Sequence, residues 1–172
     1  MRISLEPNDH VVSVVLAKDN HVVFNCANNG IGKMFDINSI PITALKSKNK
    51  GVICYVKRSS EEIACMDSND NIESKWLAIS SCGYVINTLG IDSIKAPRKS
   101  CGYVIIRLKD QDNFVFNTFT NNAVGILVVT SKGYAKMLNI HSLKEQHRGG
   151  VGIKCISLFE NDKVVACCRV TA

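Results

Sequence analysis

Charge is scarce in this chain. Only 21% of its 172 residues are Asp, Glu, Lys or Arg, while 46% are hydrophobic. Such a composition excludes disorder, because the chain gains more by burying apolar surface than by staying hydrated. At this length roughly two-thirds of the unfolded surface can be buried, so one domain with a core of its own is expected. No Cys-x-x-Cys occurs among the eight cysteines. The closest pair, Cys167-Cys168, is adjacent in a strand-like segment whose alternate side chains point to opposite faces, so it cannot readily chelate one metal. The chain is also too long to need a disulfide framework, and reduced, mostly buried thiols in a cytoplasmic protein are expected. No long apolar run reads as a secretory signal or a membrane span. The first apolar stretch, Val11 to Ala17, follows Glu6 and Asp9 and is interrupted by Ser13.

Signals for catalysis are equally thin. The four histidines, His10, His21, His141 and His147, are scattered, and no Ser or Cys stands in a nucleophile-elbow context. Gly149-Gly150-Val151-Gly152 lacks the Lys-Ser/Thr ending of a phosphate-binding loop. The chain by itself is therefore expected to be non-catalytic, with no cofactor and no metal.

What the sequence does contain is a repeat. Three segments line up: Asn29 to Ile40, Cys82 to Ile94 and Lys132 to Leu143, each with a turn glycine, an apolar strand and then Ile-x-Ser followed by Ile or Leu. A second set follows each of the first, led by Gly51, Gly102 and Gly152, which stand 51 and 50 residues apart. After each comes an acidic turn and another apolar strand. Residues 3–12 repeat this second half alone, aligning without gaps on residues 156–165. Each unit thus reads as two hairpins, the first near 21–35, 75–88 and 124–138, the second near 51–66, 102–117 and 152–169. Strands such as Ile126-Leu127-Val128-Val129 are apolar on both faces and need cover on both sides. Four strands per period of about 50 residues, with no convincing helix, describe an all-β, propeller-like stack of blades. The boundaries are a half-repeat at 1–17 and repeats at 18–70, 71–120 and 121–172.

Charge keeps the same period. The net charge is +6, and eight of the 21 Lys+Arg fall in three loop windows of five residues: Lys46, Lys48 and Lys50; Lys95, Arg98 and Lys99; Lys144 and Arg148, beside His147. Random placement would put about two there. Glu6 and Asp9, Glu61 and Glu62, Asp110 and Asp112, and Glu160 and Asp162 occupy the turn of the second half-unit. Stacked as equivalent blades, these positions predict a basic track and a separate acidic zone. Cations spaced along an arc are what sequence-independent binding to duplex DNA requires. A propeller-like protein-interaction module, with charged loops contacting an acidic protein, is the alternative.

These residues resemble the C-terminal domains of bacterial type IIA topoisomerase A subunits, those of DNA gyrase and of its topoisomerase IV counterpart. The features carrying the resemblance are the strand-turn-strand unit Ile126 to Lys136, the Leu-x-x-x-Asp-x-Val-Val form at Leu5 to Val12 and again at Leu158 to Val165, and the glycine-led strands between them. Gln146, His147, Arg148, Gly149, Gly150, Val151 and Gly152 match five of seven positions of the gyrase box QRRGGKG, with His147 in place of Arg and Val151 in place of Lys. The loss of two cations leaves a gyrase and a topoisomerase IV parentage both open. The resemblance implies a β-pinwheel whose basic outer edge bends or wraps DNA, its partners being a topoisomerase cleavage core and the ATPase-bearing B subunit. It adds Lys33 and Lys136, three residues after their turn glycines, as further candidate DNA contacts. It also implies a six-bladed ring, so three repeats and a half are expected to be a fragment or an open arc. A truncated blade would leave an edge able to pair with another chain.

Overall fold

The computed structural model describes residues 5–42, 51–58, 60–70, 75–90 and 94–171. Among them the regular structure is almost entirely β: β1 (Val22–Ala27), β2 (Ile31–Asp36), β3 (Ile63–Asn69), β4 (Trp76–Ser80), β5 (Tyr84–Thr88), β6 (Tyr103–Val104), β7 (Phe114–Phe119), β8 (Ala123–Thr130), β9 (Ala135–Asn139), β10 (Ile153–Lys154) and β11 (Val164–Thr171). The strands form three antiparallel sheets, in the orders β3-β1-β2-β6, β10-β5-β4-β7 and β11-β8-β9. The all-β, bladed architecture expected from the repeat is present.

One feature of the repeat is corrected. In the second and third units the second half is not a hairpin. Its first strand leaves the unit and pairs with the preceding blade, so β6 lies against β2 and β10 against β5, while β7 and β11 stay at home against β4 and β8. The segment between the two strands crosses from blade to blade. Its apolar residues, Ile105 and Ile106 in one case and Cys155 and Ile156 in the other, are buried on the way. Glycine permits the crossing. Gly30 and Gly83 are left-handed, at φ +79° and +76°, and a Cβ on them would stand 2.4 Å from the Ile106 carbonyl oxygen and 2.7 Å from Ile156 Cγ2. Any side chain there would push the next unit away.

Two apolar layers hold the blades together. One lies between the first and second sheets and contains Phe24, Met34, Trp76, Ile86, Ile94 and Phe119. The other lies between the second and third and contains Leu77, Ile79, Val85, Ile126, Val128 and Ile156. Strand β4 alternates between them, Trp76 and Ala78 into one and Leu77 and Ile79 into the other, and all five of its residues are buried. This is the two-faced burial that its apolar sequence requires. Phe24 anchors the first layer edge-on to Trp76 and Phe119, with centroids 5.3 Å and 6.1 Å away.

Candidate nucleic-acid interface

Two of the three basic loops are described, and repetition places them alike. The loop at 94–100 lies along β2, where Ala96 N donates to Met34 O (2.9 Å); the loop at 144–150 lies along β5, where Gln146 N donates to Asn87 O (2.8 Å). Lys46, Lys48 and Lys50 lie outside the described residues. Lys95, Lys99, Lys144 and Arg148 are exposed, and Arg98 is half-buried. Lys95 Nζ is 3.2 Å from Asp36 Oδ1, an exposed pair of small energetic weight. Arg98 and Arg148 each stand four residues before the glycine that leads the next strand, and both lie on a glycine-led segment. Arg98 Nη1 donates to Ile53 O, and the Arg148 guanidinium sits 5.1 Å above the Tyr103 ring. Cation–π and backbone contacts thus hold these two guanidiniums in place while Lys99 and Lys144 project.

In the degenerate box the polar groups serve mainly to seat the loop. Gln146 Nε2 donates to Val85 O (3.3 Å), Gly149 N to Ile105 O (2.8 Å), and Gly150 O accepts from Arg107 N (2.8 Å). Gly149 is left-handed at φ +76°, and a Cβ on Gly152 would stand 2.7 Å from Val85 O. His147, Arg148 and Val151 are the box residues whose side chains face solvent.

Lys33, assigned above to the DNA edge, is instead 0% exposed. Its Nζ donates to the carbonyls of Pro97 (2.8 Å), Arg98 (2.6 Å) and Ser100 (2.7 Å) and to Ser100 Oγ (3.2 Å), between the Phe35 and Tyr55 rings. Desolvation holds its pKa below the ordinary lysine value. This lysine is the internal anchor of the basic loop, not a contact for DNA. In the second blade the equivalent residue is Ile86, whose Cδ1 meets the space above Gly150; there an apolar contact replaces the ammonium. Lys136, the third equivalent, is exposed and donates to Cys155 O at 2.7 Å.

The predicted acidic zone is also corrected. Glu6 and Asp9 are exposed, but one acid in each of the other three turns is buried and staples a hairpin turn. Asp112 Oδ1 accepts from Ser81 Oγ, Cys82 N and Asn113 N (2.8, 2.8 and 2.9 Å), and Asp162 Oδ1 from Ser131 Oγ, Lys132 N and Lys163 N (2.8, 3.0 and 3.0 Å). Glu61 accepts from Asn29 Nδ2 (2.9 Å) and Arg58 N (2.8 Å). Burial alone would raise the Glu61 and Asp162 carboxyls, but these donors outweigh it and hold both below the usual carboxylate range. A folded-state pKa below the unfolded one contributes stability above the unfolded value, about pH 4, that is lost as pH falls through the folded values. The melting temperature is therefore expected to hold down to that pH and drop below it. Glu61→Gln combined with Asp162→Asn should lower the neutral-pH melting temperature and shrink the acid-side drop; an unchanged acid limb in thermal melts would contradict the staple.

Several exposed cations escaped the sequence reading. Lys109 Nζ donates to Tyr84 OH (2.6 Å) and lies 4.3 Å from that ring, and Lys154 Nζ lies 5.0 Å from the same ring. Arg107, two residues before Lys109, is also exposed. Lys109 comes from the crossing segment of the same unit and Lys154 from the exchanged strand of the next. Only the exchange brings them together, so no local pattern announces the cluster. Tyr84, Tyr103 and Tyr134 are half-buried, 41% and 53% exposed, and the first two carry cations. The cysteines are less buried than expected: Cys26 and Cys155 are buried, Cys168 is exposed, and the other five are intermediate, all as free thiols. Desolvation pushes the Cys167 thiol up to about 12. Among the described residues no three His, Cys, Asp or Glu side chains gather as a metal site, and no helix is long and apolar enough to cross a membrane.

Two four-stranded blades that each borrow an outer strand from the next unit, with basic loops laid along the borrowed edge, and a three-stranded blade beside them define a propeller-like β-pinwheel. Residues 126–167 match the family described as DNA gyrase C-terminal domain, beta-propeller. Over 165 residues the chain is 23% identical to the A subunit of DNA gyrase from Borrelia hermsii (strain HS1 / DAH), covering 94% of this chain and 20% of that protein. The gyrase A subunit of Buchnera aphidicola subsp. Baizongia pistaciae is 18% identical over 168 residues, again covering 20% of its length. Among solved structures, the DNA gyrase A C-terminal domain superposes with a TM-score of 0.76 at 20% identity, over 90% of this chain and 50% of that one. The C-terminal domain of DNA topoisomerase IV gives 0.74 at 13% identity, over 88% and 47%, and the E. coli ParC C-terminal domain 0.68 at 17%, over 90% and 64%. The chain is a β-pinwheel of the kind found in gyrase A and topoisomerase IV C-terminal domains, and it spans about a fifth of the length of the curated relatives.

Proposed function

We propose that this chain binds duplex DNA without regard to sequence along its exposed basic edge and bends it, as the non-catalytic accessory domain of a bacterial, cytoplasmic type IIA topoisomerase A subunit. The cleavage core and the ATPase subunit of that enzyme are its partners in this reading. The observation that carries it is the repetition of the basic loop at equivalent positions on successive blades, with Arg98 and Arg148 seated on glycine-led segments and Lys95, Lys99, Lys144 and the Lys109–Tyr84–Lys154 cluster exposed. Repetition sets cations along a curve, and a curved array neutralises successive phosphates only if the duplex follows it. Smooth bending of a short site costs a few kcal/mol, offset by the additional phosphates that the bend brings within reach.

Salt dependence tests the reading. Fluorescence anisotropy with duplexes of unrelated sequence should give similar affinities, and log affinity should fall linearly with log salt at a slope of about −0.9 per neutralised phosphate. A slope near zero, or binding only to an acidic protein, would move the chain to the interaction-module class.

A further inference from the structure

Among the described residues, two edges lack the partner that their repeats have elsewhere. In the first and second blades the exchanged strand pairs at one register: Ile31 faces Val104 and Gly32 faces Tyr103, and Tyr84 faces Lys154 and Val85 faces Ile153. Strand β9 follows Gly133 as β2 follows Gly30, yet among the described residues it pairs with β8 alone. The segment 51–56 is glycine-led like β6 and β10, yet it forms no strand.

The glycines mark the same two open positions. A Cβ on Gly102 or Gly152 would stand 2.5 Å from Gly32 O or 2.7 Å from Val85 O, because the preceding blade is pressed against it. A Cβ on Gly51 or Gly133 would meet nothing within 4 Å among the described residues. Both edges expose apolar side chains: Val52 at 39% and Ile53 at 61%, Tyr134 and Met137 at 53% each. The segment is already seated as the exchanged strands are. Val56 N donates to Ser100 O (3.1 Å), as its equivalent Arg107 N does to Gly150 O, and Arg98 fastens Ile53 O.

We propose that the 172-residue chain self-associates head to tail by strand addition, residues 51–56 of a second copy completing the blade of β11, β8 and β9. Repeat symmetry sets the register: Ile53 opposite Tyr134 and Val52 opposite Ala135. An exposed strand edge is a template for a further strand, and here one chain carries both template and strand. The contact is heterologous, so it builds a ring of copies if the rotation between them closes and an open chain if it does not. Residues 3–12 align on 156–165, so the second copy's segment after residue 10 competes with β11 for the flank of β8. That segment is exposed and tied to β3 through Ser68 Oγ to Leu16 O (2.9 Å) and Ser13 Oγ to Met66 O (3.4 Å), so it must swing aside, which keeps the association weak. A following unit in a longer polypeptide would fill β9 with the same kind of strand in cis. The proposal does not depend on DNA binding.

Sedimentation velocity over about a hundredfold range of concentration tests it, because association coupled to mass action must rise with concentration. Wild type should pass from monomer to a closed ring of copies or to a series of longer species. Ile53→Asp and Tyr134→Asp, both at exposed positions and checked for folding by circular dichroism, should each be monomeric alone. Mixed, they should form a dimer and stop there, since each retains one working edge. A wild type monomeric throughout, association surviving in either variant, or no dimer on mixing would overturn strand addition.

Discussion

Lys33→Met is expected to lower the melting temperature by roughly 6–12 °C. The lysine is 0% exposed, and its ammonium is the donor for three carbonyls, those of Pro97, Arg98 and Ser100. An ammonium carries three donors on one compact nitrogen, which is what three converging acceptors need; the planar fork of arginine cannot match them. Methionine fills a similar volume but takes the charged donor from all three carbonyls; Pro97 O keeps Ser100 Oγ and Ser100 O keeps Val56 N, while Arg98 O is left with no other donor among the described residues, at a cost on the order of 3 kcal/mol. Lys136→Met, at the equivalent position of the third blade, removes an exposed group with one carbonyl partner and should cost less than about 1 kcal/mol. Differential scanning calorimetry of the two variants decides the matter. If Lys33→Met melts like wild type, the lysine does not organise the loop.

The second large effect concerns DNA. Lys95→Glu, Lys99→Glu and Lys144→Glu combined are expected to weaken binding to every duplex tested by on the order of a hundredfold at physiological salt, taking about fivefold per lost phosphate contact. All three side chains are exposed, and among the described residues Lys95 alone of the three has an ion-pair partner, in Asp36. The variant should therefore keep the wild-type melting temperature, and its salt slope should shrink. Arg98 is left out of the set because its contact with Ile53 O makes it part of the loop's architecture. Unchanged affinity in a mobility-shift titration would sink the basic-edge reading.

The two lysines of the outer repeats show how far the sequence could be read. Lys33 and Lys136 are alike in sequence context, each three residues after a turn glycine and followed by Met. One is covered by the loop of the following unit and the other is not, so one is an internal anchor and the other a surface group. The acids teach the same lesson. Their phase in the repeat was legible, but Asp112 and Asp162 point into the hairpin turns of their own blades, and no periodicity distinguishes a carboxylate facing Ser81 from one facing water. The Lys109–Tyr84–Lys154 cluster was invisible because its members come from different units.

Local information determined the strands, the turn glycines, the fifty-residue period and the bladed class, because strand propensity, left-handed turns and alternation act over a few residues. Tertiary structure alone decided which blade each glycine-led strand joins and therefore which charges are buried. That choice is made by backbone hydrogen bonding and close glycine contacts between segments some 70 residues apart, such as Gly32 with Tyr103 and Tyr84 with Lys154. A strand's own sequence specifies that it will pair; the geometry of the neighbouring blade specifies with whom.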